Sequence, residues 1–317
     1  MSENILTFSN GVAIIVAVVS LVSFLPISAW LIELISHFRV QYAVVLGLGS
    51  LIAILGGELL AAVLLAAVGV INFWPVVPFL SLRRAGEVAG FLKLVLINVR
   101  MRNRSFRPTA RFLAKQNPEI IALVEVDEGW LDALGPGLQA RGYQETSLPR
   151  EDSYGLVIYS KFRLTSFETV VLPSLDTPSS TCLLDINGAS LGLLLVHLPP
   201  PLSPALMRQR DEALTHVAAW LHGREGNWLV LGDFNLTPWS RQLRAFEAQT
   251  GYHSFREGGG ILATWPDHFA PLRIPLDHVF GSPGIQFGRP DLGGSVKSDH
   301  LPVVVRFQVG EAPGTGG

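Results

Sequence analysis

The chain has 317 residues, of which 49% are apolar and only 16% are charged, a low charged fraction for a soluble protein. Residues 1–82 contain three acidic residues and one basic residue, whereas residues 83–317 contain 23 of each and are neutral overall. Neutrality is not typical of nucleic-acid-binding domains, because neutralisation of phosphate charge dominates that affinity. The single cysteine, Cys182, excludes an intrachain disulfide and a metal site built on several cysteines.

Residues 1–82 are predicted to form a hydrophobic membrane anchor. A helix that spans a bilayer needs about 20 predominantly apolar residues. The uncharged stretches of this region predict about three transmembrane helices, near residues 10–31, 41–57 and 59–80. A cleaved signal peptide of roughly 15–30 residues is too short to explain them. A soluble helical bundle would need polar outer faces, which this region lacks.

The charges that flank these stretches bear on orientation. With three spans, Arg39 and the pair Arg83–Arg84 lie on one side of the membrane, and Glu3 and Glu58 lie on the other. Because cytoplasmic loops carry an excess of Lys and Arg, this count favours a cytoplasmic location for the C-terminal domain. With one span fewer, the same charges would favour the opposite side of the membrane.

The remainder of the chain divides into a linker at residues 83–92, a folded domain at 93–309 and a disordered tail at 310–317. Short apolar runs within the domain predict nine strands, at Lys93–Asn98, Ile120–Val126, Gly155–Ser160, Thr165–Leu172, Thr181–Ile186, Ser190–His197, Trp228–Asp233, Leu276–Phe280 and Pro302–Val309. Four helices are predicted, at Pro108–Gln116, Trp130–Ala140, Pro204–His222 and Ser240–Thr250. This pattern favours an α/β domain with two packed sheets covered by helices.

Several of the apolar strands finish in, or are followed by, a polar residue. These residues are Asn98, Glu125, His197, Asp233 with Asn235, Asp277, and Asp299 with His300. A polar group buried at a strand end costs free energy unless it is paired or binds a ligand. Functional residues also concentrate in loops that a rigid scaffold positions. We therefore expect these side chains to converge in one cleft.

The types of side chain in this set predict a metal site. Glu125 and Asp299 supply carboxylate oxygens and Asn98 supplies an amide oxygen, the hard ligands that Mg²⁺ prefers. The lack of further cysteines and of a His-x-x-x-His helix argues against zinc. The predicted cofactor is Mg²⁺, with Mn²⁺ as the alternative cation. The competing interpretation is that Glu125 is a solvated edge acid next to Asp127 and Glu128.

The GDFN sequence at 232–235 predicts a site that can hold a water molecule as a nucleophile. Residues two apart in a strand face the same side, so Asp233 and Asn235 can hold one small molecule between them. Gly232 permits a close approach of the backbone. The alternative is a simple Asx turn that caps the following helix.

Two histidines are candidates for proton transfer or charge stabilisation. A carboxylate such as Asp277, bonded to one nitrogen of His300, would fix its tautomer and raise the basicity of the other nitrogen. His197 precedes the rigid segment Pro199–Pro201 and could bind phosphate or protonate the leaving oxygen, unless it merely ends a strand. Strand alternation turns His278 to the opposite face, where a structural role is expected.

Taken in order, these residues resemble the endonuclease/exonuclease/phosphatase superfamily, whose members include deoxyribonuclease I. The resemblance covers about 95–308 and is most specific in the combination of GDFN and SDHLP. The matching segments are LINVR with Asn98, IIALVEV with Glu125, YGLVIYSK from Tyr154, VHLPPP with His197, GDFN at 232–235, TW at 264–265, PLDHVF with Asp277 and SDHLP at 298–302.

The resemblance implies a four-layer α/β/β/α sandwich and metal-dependent hydrolysis of phosphoester bonds. It implies Glu125 as the main metal ligand, assisted by Asn98 and Asp299. It implies that the catalytic residues are His197, Asp233, Asn235, Asp277 and His300. Tyr154, Arg100 and Trp265 are expected to contact the substrate.

The hydrophobic region and the neutral domain distinguish the chain from the DNA-repair members of this superfamily. It looks more like the bacterial membrane-anchored members, in which lipid phosphates are the suspected substrates, and the bacterial inner membrane is the expected location. A basic run at Arg100–Lys115 would bind a polyanionic substrate or anionic headgroups, or would form a solvated helix face.

The sequence thus predicts a membrane-anchored, Mg²⁺-dependent phosphoesterase. Its expected substrates are phosphoester or pyrophosphate bonds, including those of lipid-linked molecules, cleaved by in-line attack of water. One alternative is a membrane-tethered nuclease with nucleic acid as substrate. Another is a non-catalytic phosphate-binding module, which is disfavoured because every expected polar position is filled. No obligate protein partner is inferred.

Overall fold

The computed structural model describes residues 3–25, 27, 29–80, 90–171 and 178–310, with side chains from residue 9 onward. Most of the predicted linker and all but the first residue of the predicted tail lie outside the described residues.

The N-terminal region is helical. It contains α1 (Glu3–Val22), α2 (Trp30–Ser36), α3 (Arg39–Leu55) and α4 (Leu59–Phe73), and a 3-10 helix continues α4 over Trp74–Phe79. Helices α1, α3 and α4 pack against one another, with Ala13, Leu46 and Leu65 at the centre of their contact.

The expectation of three transmembrane helices is not supported. Among the described residues, one helical stretch, Leu59–Phe79, is long and apolar enough to cross a bilayer. Helices α2 and α3 would make a second candidate only as one broken span, because they meet at 64°. The apolar helix Ser9–Val22 is shorter, since α1 ends nine residues before the end of the predicted span 10–31.

Apolar side chains are nevertheless exposed over much of the N-terminal region. Of the 29 exposed large apolar side chains in the described part of the chain, 24 lie in residues 12–77 and only five lie in the rest. Exposed apolar surface on this scale is rare on soluble monomers and usually marks contact with a membrane or a partner.

The C-terminal region contains two β-sheets. In chain order the strands are β1 (Leu92–Asn98), β2 (Ile120–Val124), β3 (Gln144–Leu148), β4 (Leu156–Ser160), β5 (Arg163–Val171), β6 (Pro178–Ile186), β7 (Ala189–His197), β8 (Asn227–Asp233), β9 (His253–Ser254), β10 (Asp277–Gly281), β11 (Ile285–Phe287), β12 (Asp291–Leu292) and β13 (Val303–Val309). The first sheet has the order β11-β13-β1-β2-β4-β3, with β12 also paired to β13, and the second has the order β5-β6-β7-β8-β10-β9.

Helices cover the outer face of each sheet. They are α5 (Phe106–Gln116), α6 (Glu128–Gln139), α7 (Pro204–Leu221) and α8 (Arg241–Thr250), and a short 3-10 helix spans Ala270–Leu272. Helices α5 and α6 pack on the first sheet, and α7 and α8 pack on the second. A third apolar core fills the space between the sheets. The predicted arrangement of two packed sheets covered by helices is confirmed.

Strand alternation determines which side chains reach the space between the sheets. On β1, Leu94 and Leu96 lie in the core between the sheets, whereas Val95 and Ile97 pack against α5 and α6. Successive side chains of a strand point to opposite faces. Asn98, the last residue of β1, is two residues beyond Leu96 and therefore points toward the second sheet as Leu94 and Leu96 do.

Candidate active site

The strand ends predicted from the sequence meet at one end of the two-sheet sandwich. Strands β7 and β8 are parallel, and His197 is paired with Asp233. Strand β10 runs antiparallel to β8, and its first residue, Asp277, lies opposite Asp233. Nδ2 of Asn98 donates to Oδ2 of Asp233 across 3.1 Å, which joins the first sheet to the second.

Strand alternation explains why these side chains meet in one place. Leu193 and Leu195 of β7 lie in the core between the sheets, as do Leu229 and Leu231 of β8. His197, two residues beyond Leu195, and Asp233, two beyond Leu231, continue the same rows. Polar side chains thus replace apolar ones where the core between the sheets reaches the surface.

The backbone is strained at three positions around the site. Arg100, Glu125 and Asn235 have φ values of 57°, 63° and 50°, in the left-handed region that residues other than glycine seldom adopt. Such conformations tend to collect at functional sites, where the surrounding structure enforces them. Asn235 therefore lies beyond the end of β8, and strand alternation is not what directs its side chain.

Glu125 has the environment expected of a metal ligand. Its Oε1 accepts from Nδ2 of Asn98 across 2.9 Å, and its Oε2 accepts from the backbone N–H of Met101 across 3.2 Å. The Glu125 side chain is 18% exposed, against 2% for Asp233. The Asp299 carboxylate is also partly exposed and lies 3.9 Å from Nε of Arg100. Two accessible carboxylates provide hard oxygen ligands for a divalent cation.

The orientation of the Asn98 amide differs from the one that its predicted role as a metal ligand requires. Its Oδ1 accepts from the backbone N–H of Arg100 across 2.9 Å, while its amide nitrogen faces Glu125 and Asp233. The amide would have to rotate before its oxygen could bind a cation. In the structure Asn98 instead bridges the two carboxylates.

A second group of ligand-type atoms, on Asp233, Asp277 and His300, lies within 4.8 Å of one another. Nδ1 of His300 already donates to Oδ2 of Asp277 across 2.8 Å. A cation in this group would have to displace that bond. The Glu125 carboxylate is more exposed than that of Asp233 and is therefore more accessible to a cation.

Asp233 lies at the centre of the site and is fully buried. Its Oδ1 accepts from the backbone N–H of Asn235 across 2.9 Å, an Asx turn of the kind considered as the alternative for GDFN. Burial raises the pKa of Asp233 to about 6, against the opposing charge of His300. This carboxylate can therefore accept a proton near neutral pH, as a group that activates water must.

His300 lies between two carboxylates. Its Nε2 is 3.5 Å from Oδ2 of Asp233, on the side of the ring opposite Asp277. Burial alone would lower the pKa of His300, but the charges of Asp277 and Asp233 and the hydrogen bond to Asp277 raise it to about 10. The His300 ring is therefore an imidazolium at neutral pH, suited to stabilise negative charge rather than to accept a proton.

His197 has one nitrogen fixed and the other directed into the site. Nδ1 is 2.7 Å from the backbone oxygen of Ser153, and because a carbonyl oxygen only accepts, Nδ1 must donate. Nε2 lies 3.8 Å from Oδ2 of Asp233 and 4.0 Å from Oε1 of Glu125. The Tyr154 ring lies beside the imidazole, with ring centroids 5.2 Å apart.

These groups open into a cleft of about 660 Å³. Nine of the eleven predicted site residues line it, namely Arg100, Glu125, Tyr154, His197, Asp233, Asn235, Trp265, Asp299 and His300. Asn98 and Asp277 lie behind this surface and bond to Asp233 and His300. Of the predicted basic run, only Arg100 and Arg102 line the cleft, and the cations from Arg107 onward lie on α5.

Several contributors to the site were not predicted. Arg256 is fully buried and donates from Nη2 to the backbone oxygen of Asp277 across 2.6 Å, which holds the start of β10. Leu34 of α2, and His37 directly after this helix, line the cleft although they precede the catalytic domain by many residues. Neither an isolated arginine nor a residue of an apolar helix carries a sequence signal for such a role.

Comparisons with known proteins agree with this geometry. Residues 95–300 match the model of the Endonuclease/Exonuclease/phosphatase family. A search of curated proteins found no match.

Solved structures share the fold at low sequence identity. TDP2 of D. rerio, in complex with a single-strand DNA product, is 18% identical, covers 69% of this chain and 99% of its own, and has a TM-score of 0.58. The catalytic domain of human Nocturnin is 19% identical, with 72% and 95% coverage and a TM-score of 0.57. An endonuclease/exonuclease/phosphatase from Beutenbergia cavernae is 19% identical, with 71% and 73% coverage and a TM-score of 0.55.

The family match covers well over half of the chain and includes the strand ends that form the cleft. Members of this family are metal-dependent hydrolases of phosphoester bonds. The chain belongs to the endonuclease/exonuclease/phosphatase family and is a hydrolase of phosphoester bonds.

Proposed function

We propose that the protein is a membrane-anchored, Mg²⁺-dependent phosphoesterase that acts on lipid-linked phosphoester or pyrophosphate bonds. One observation carries the proposal. Leu34 of the apolar helix α2, and His37 directly after this helix, line the same cleft as Glu125 and His300. A substrate that enters this cleft therefore meets the hydrophobic N-terminal region and the catalytic groups together.

The wall of the cleft suits an amphiphilic substrate. Leu34, Leu202, Ile274 and Leu276 provide apolar surface beside the carboxylates and imidazoles. Apolar surface of this kind favours a hydrocarbon segment at about 25 cal/mol per Å² buried. The polar groups would hold the phosphate, and the apolar ones would hold the adjoining lipid.

The chain's own residues suit in-line attack of water. Asp233 would accept a proton from a water molecule that it positions together with Asn235. Mg²⁺ held by Glu125 and Asp299, with Asn98 beside them, would supply neutralisation of charge on the phosphoryl oxygens.

His300 and His197 would have different roles in the reaction. The His300 imidazolium, held by Asp277, would stabilise negative charge on the phosphoryl group. His197 donates from Nδ1 to Ser153, so binding phosphate or transferring a proton to the leaving oxygen would require its imidazolium form, which carries the second proton on Nε2.

Membrane attachment is supported by the exposed apolar side chains of residues 12–77 and by the apolar helix Leu59–Phe79. The proposed location is the bacterial inner membrane. The count of flanking charges that favoured a cytoplasmic catalytic domain assumed three spans, so the side of the membrane depends on whether one or two helices cross it.

The full-length protein, purified in detergent with Mg²⁺, tests this function. We expect hydrolysis of a polyprenyl pyrophosphate and of a chromogenic phosphodiester, and weak or no cleavage of plasmid DNA. Glu125→Ala and His300→Ala should lower turnover by orders of magnitude without unfolding the protein. Wild-type rates in both variants would refute the assignment of the site.

A nuclease is the second candidate, favoured by Arg100 and Arg102 at the cleft. The D. rerio TDP2 structure contains a single-strand DNA product, so a protein of this fold binds DNA. Nicking of plasmid DNA without hydrolysis of the pyrophosphate would select the nuclease.

A further inference from the structure

A second cavity, separate from the catalytic cleft, lies between the N-terminal helices and helices α7 and α8. Its volume is about 440 Å³, and none of the described residues lines both cavities. Phe24, Ile27 and Ile32 form an apolar rim, and α8 contributes Arg241 and Arg244. Arg39, the first residue of α3, lines it as well.

The hydrogen-bond acceptors of the three arginines of this cavity are neutral, while Arg241 and Arg244 also interact electrostatically with Glu33 and Glu247. Among the described residues, none of them lies within ion-pair distance of a carboxylate. Their bonds are from Arg39 to Asn72 Oδ1 and the backbone oxygens of Ser20 and Ser23, from Arg241 to the backbone oxygen of Leu25, and from Arg244 to the backbone oxygen of Trp239. A guanidinium has five N–H donors, so donors remain for a ligand.

The acids that line the cavity are already paired. Glu33 and Asp211 both form ion pairs with Arg210, which is fully buried. Gln242 donates to both carboxylates across 3.3 Å. The three lining arginines and Arg210 exceed these two acids by two positive charges, and Glu247, which does not line the cavity, offsets part of the charge of Arg244.

Arg39 is buried and Arg241 and Arg244 are exposed at the same cavity, so an anion bound there would be attracted by all three charges. The charges of Arg39 and Arg244 repel each other, and burial of Arg39 adds a desolvation cost. Arginine is well suited to phosphate, because its planar donors match two phosphate oxygens at once. We propose that this cavity binds the phosphate of an anionic phospholipid headgroup.

The rim identifies a lipid rather than free phosphate as the ligand. Phe24 and Ile27 are 38% and 51% exposed, and they continue the exposed apolar surface of α1. A headgroup in the cavity would leave its acyl chains beside this surface. Each cation near an anionic membrane surface contributes about 1 kcal/mol. The inference rests on the membrane association proposed above, although not on the catalytic mechanism.

Calorimetric titration of the full-length protein in a zwitterionic detergent, with EDTA present, tests the site. The ligands are dihexanoyl-phosphatidylglycerol, dihexanoyl-phosphatidylcholine and sodium phosphate. We expect the phosphatidylglycerol to bind at least tenfold more tightly than the other two. The double variant Arg241→Gln/Arg244→Gln should weaken it at least tenfold, because both arginines lie at the cavity and neither is buried.

The matched control is Arg208→Gln, an exposed position of α7 that does not line the cavity and should leave binding unchanged. A second variant, Ala245→Glu, keeps every arginine and adds an acid to the cavity wall, so it should also weaken binding. Circular dichroism verifies folding of each variant. Unchanged affinity in the folded double variant or in Ala245→Glu would overturn the proposal, as would equal affinity for the three ligands.

Two further measurements separate this proposal from the proposed function. Flotation with phosphatidylcholine vesicles tests membrane association, and turnover of a chromogenic phosphodiester tests the hydrolase. A protein that floats and hydrolyses the diester, yet binds the three ligands equally, would disprove the headgroup site alone. Selective binding that depends on the arginines, without turnover, would uphold the site and count against the function.

Discussion

Nδ1 of His300 donates to Oδ2 of Asp277 across 2.8 Å, and Nε2 on the opposite side of the ring lies 3.5 Å from Asp233. The imidazolium therefore separates two buried carboxylates, Asp277, which orients it, and Asp233, which lines the cleft. Burial alone would raise the pKa of Asp277, but the charge of His300 and the hydrogen bond between them lower it. The pair is thus charged on both members.

Asp277→Asn removes the charge that keeps His300 protonated. We expect kcat to fall by about 10²- to 10⁴-fold with little change in KM, because Asp277 lies behind the cleft and acts through His300. The pKa of His300, about 10 in the native protein, should fall. The alkaline loss of activity should then begin at lower pH, which a pH–rate profile measures.

The control is Asp132→Asn, at an exposed position of α6. It should preserve both the rate and the pH profile. A lower rate in Asp277→Asn with an unshifted profile would mean that Asp277 supports the fold rather than the charge of His300.

Hydrolysis should require a divalent cation, and Glu125 should contribute most to binding it. EDTA should abolish hydrolysis, and added Mg²⁺ or Mn²⁺ should restore it. Glu125→Gln removes one charged ligand while preserving size, so the Mg²⁺ concentration for half-maximal rate should rise at least about tenfold. A Mg²⁺ titration of the rate measures this. Glu128→Gln, at the exposed start of α6, is the control. Its rate should depend on Mg²⁺ concentration as that of the native protein does.

Much of the catalytic domain is predictable from the sequence, because apolar runs of strand length end in single polar residues. The predicted strands Lys93–Asn98 and Trp228–Asp233 differ from β1 and β8 by one residue at their starts. Strand β3 was not predicted, because Gln144–Leu148 is mostly polar and only partly buried. Strands β9, β11 and β12 have two or three residues and lack a periodic pattern.

The remaining features arise from tertiary contacts that leave no local pattern. Arg256 supports Asp277 through a backbone oxygen, and His197 is oriented by the backbone of Ser153. Any residue type could supply those carbonyl groups. In the N-terminal region, the uncharged stretch of residues 4–32 predicts an apolar segment but not the end of α1 at Val22.

Gly232 permits the close contact between β7 and β8 that places His197 beside Asp233. Its φ is 145°, and a Cβ atom there would lie 1.8 Å from the backbone oxygen of Val196. Gly232→Ala should therefore destabilise the protein by about 3 kcal/mol or more, since backbone atoms must move. Thermal unfolding measures the loss.

Gly137→Ala is the matched control, because Gly137 lies in α6 and a Cβ atom there would meet nothing within 4 Å. It should stabilise the protein by up to about 1 kcal/mol. Equal unfolding temperatures for Gly232→Ala and the native protein would show that β7 and β8 can separate without cost.

Glu247 should make stability depend on pH. Burial, reinforced by the charge of Glu257, raises the pKa of Glu247 to about 7 from an ordinary value of 4.5. The folded state therefore holds this proton more tightly than the unfolded chain does. The resulting stabilisation is complete below about pH 4.5 and is lost as the pH rises through about 7.

Glu247→Gln removes this dependence. At pH 8 the variant should be more stable than the native protein by on the order of 1 kcal/mol, and at pH 5 the difference should shrink. Denaturant unfolding at the two pH values measures both differences. Glu212→Gln, at an exposed position of α7, should change neither. A constant difference between native protein and Glu247→Gln at both pH values would contradict a raised pKa.

Leu34 should distinguish lipid-linked substrates from small ones, because it brings apolar surface of α2 to the catalytic cleft. Leu34→Asn should raise KM for a polyprenyl pyrophosphate by about tenfold or more, the effect of losing one buried leucine contact. KM for a chromogenic phosphodiester should stay the same, since a small substrate need not reach this wall. Steady-state kinetics with both substrates measure the two values.

The matched control is Leu31→Asn, on the same helix. Leu31 is 58% exposed and does not line the cleft, so this change should leave both KM values unaltered. An equal rise in KM for both substrates in Leu34→Asn would indicate a distorted active site. An unchanged KM for the polyprenyl substrate would show that α2 does not contribute to substrate binding. It would also remove the main support for a lipid-linked substrate.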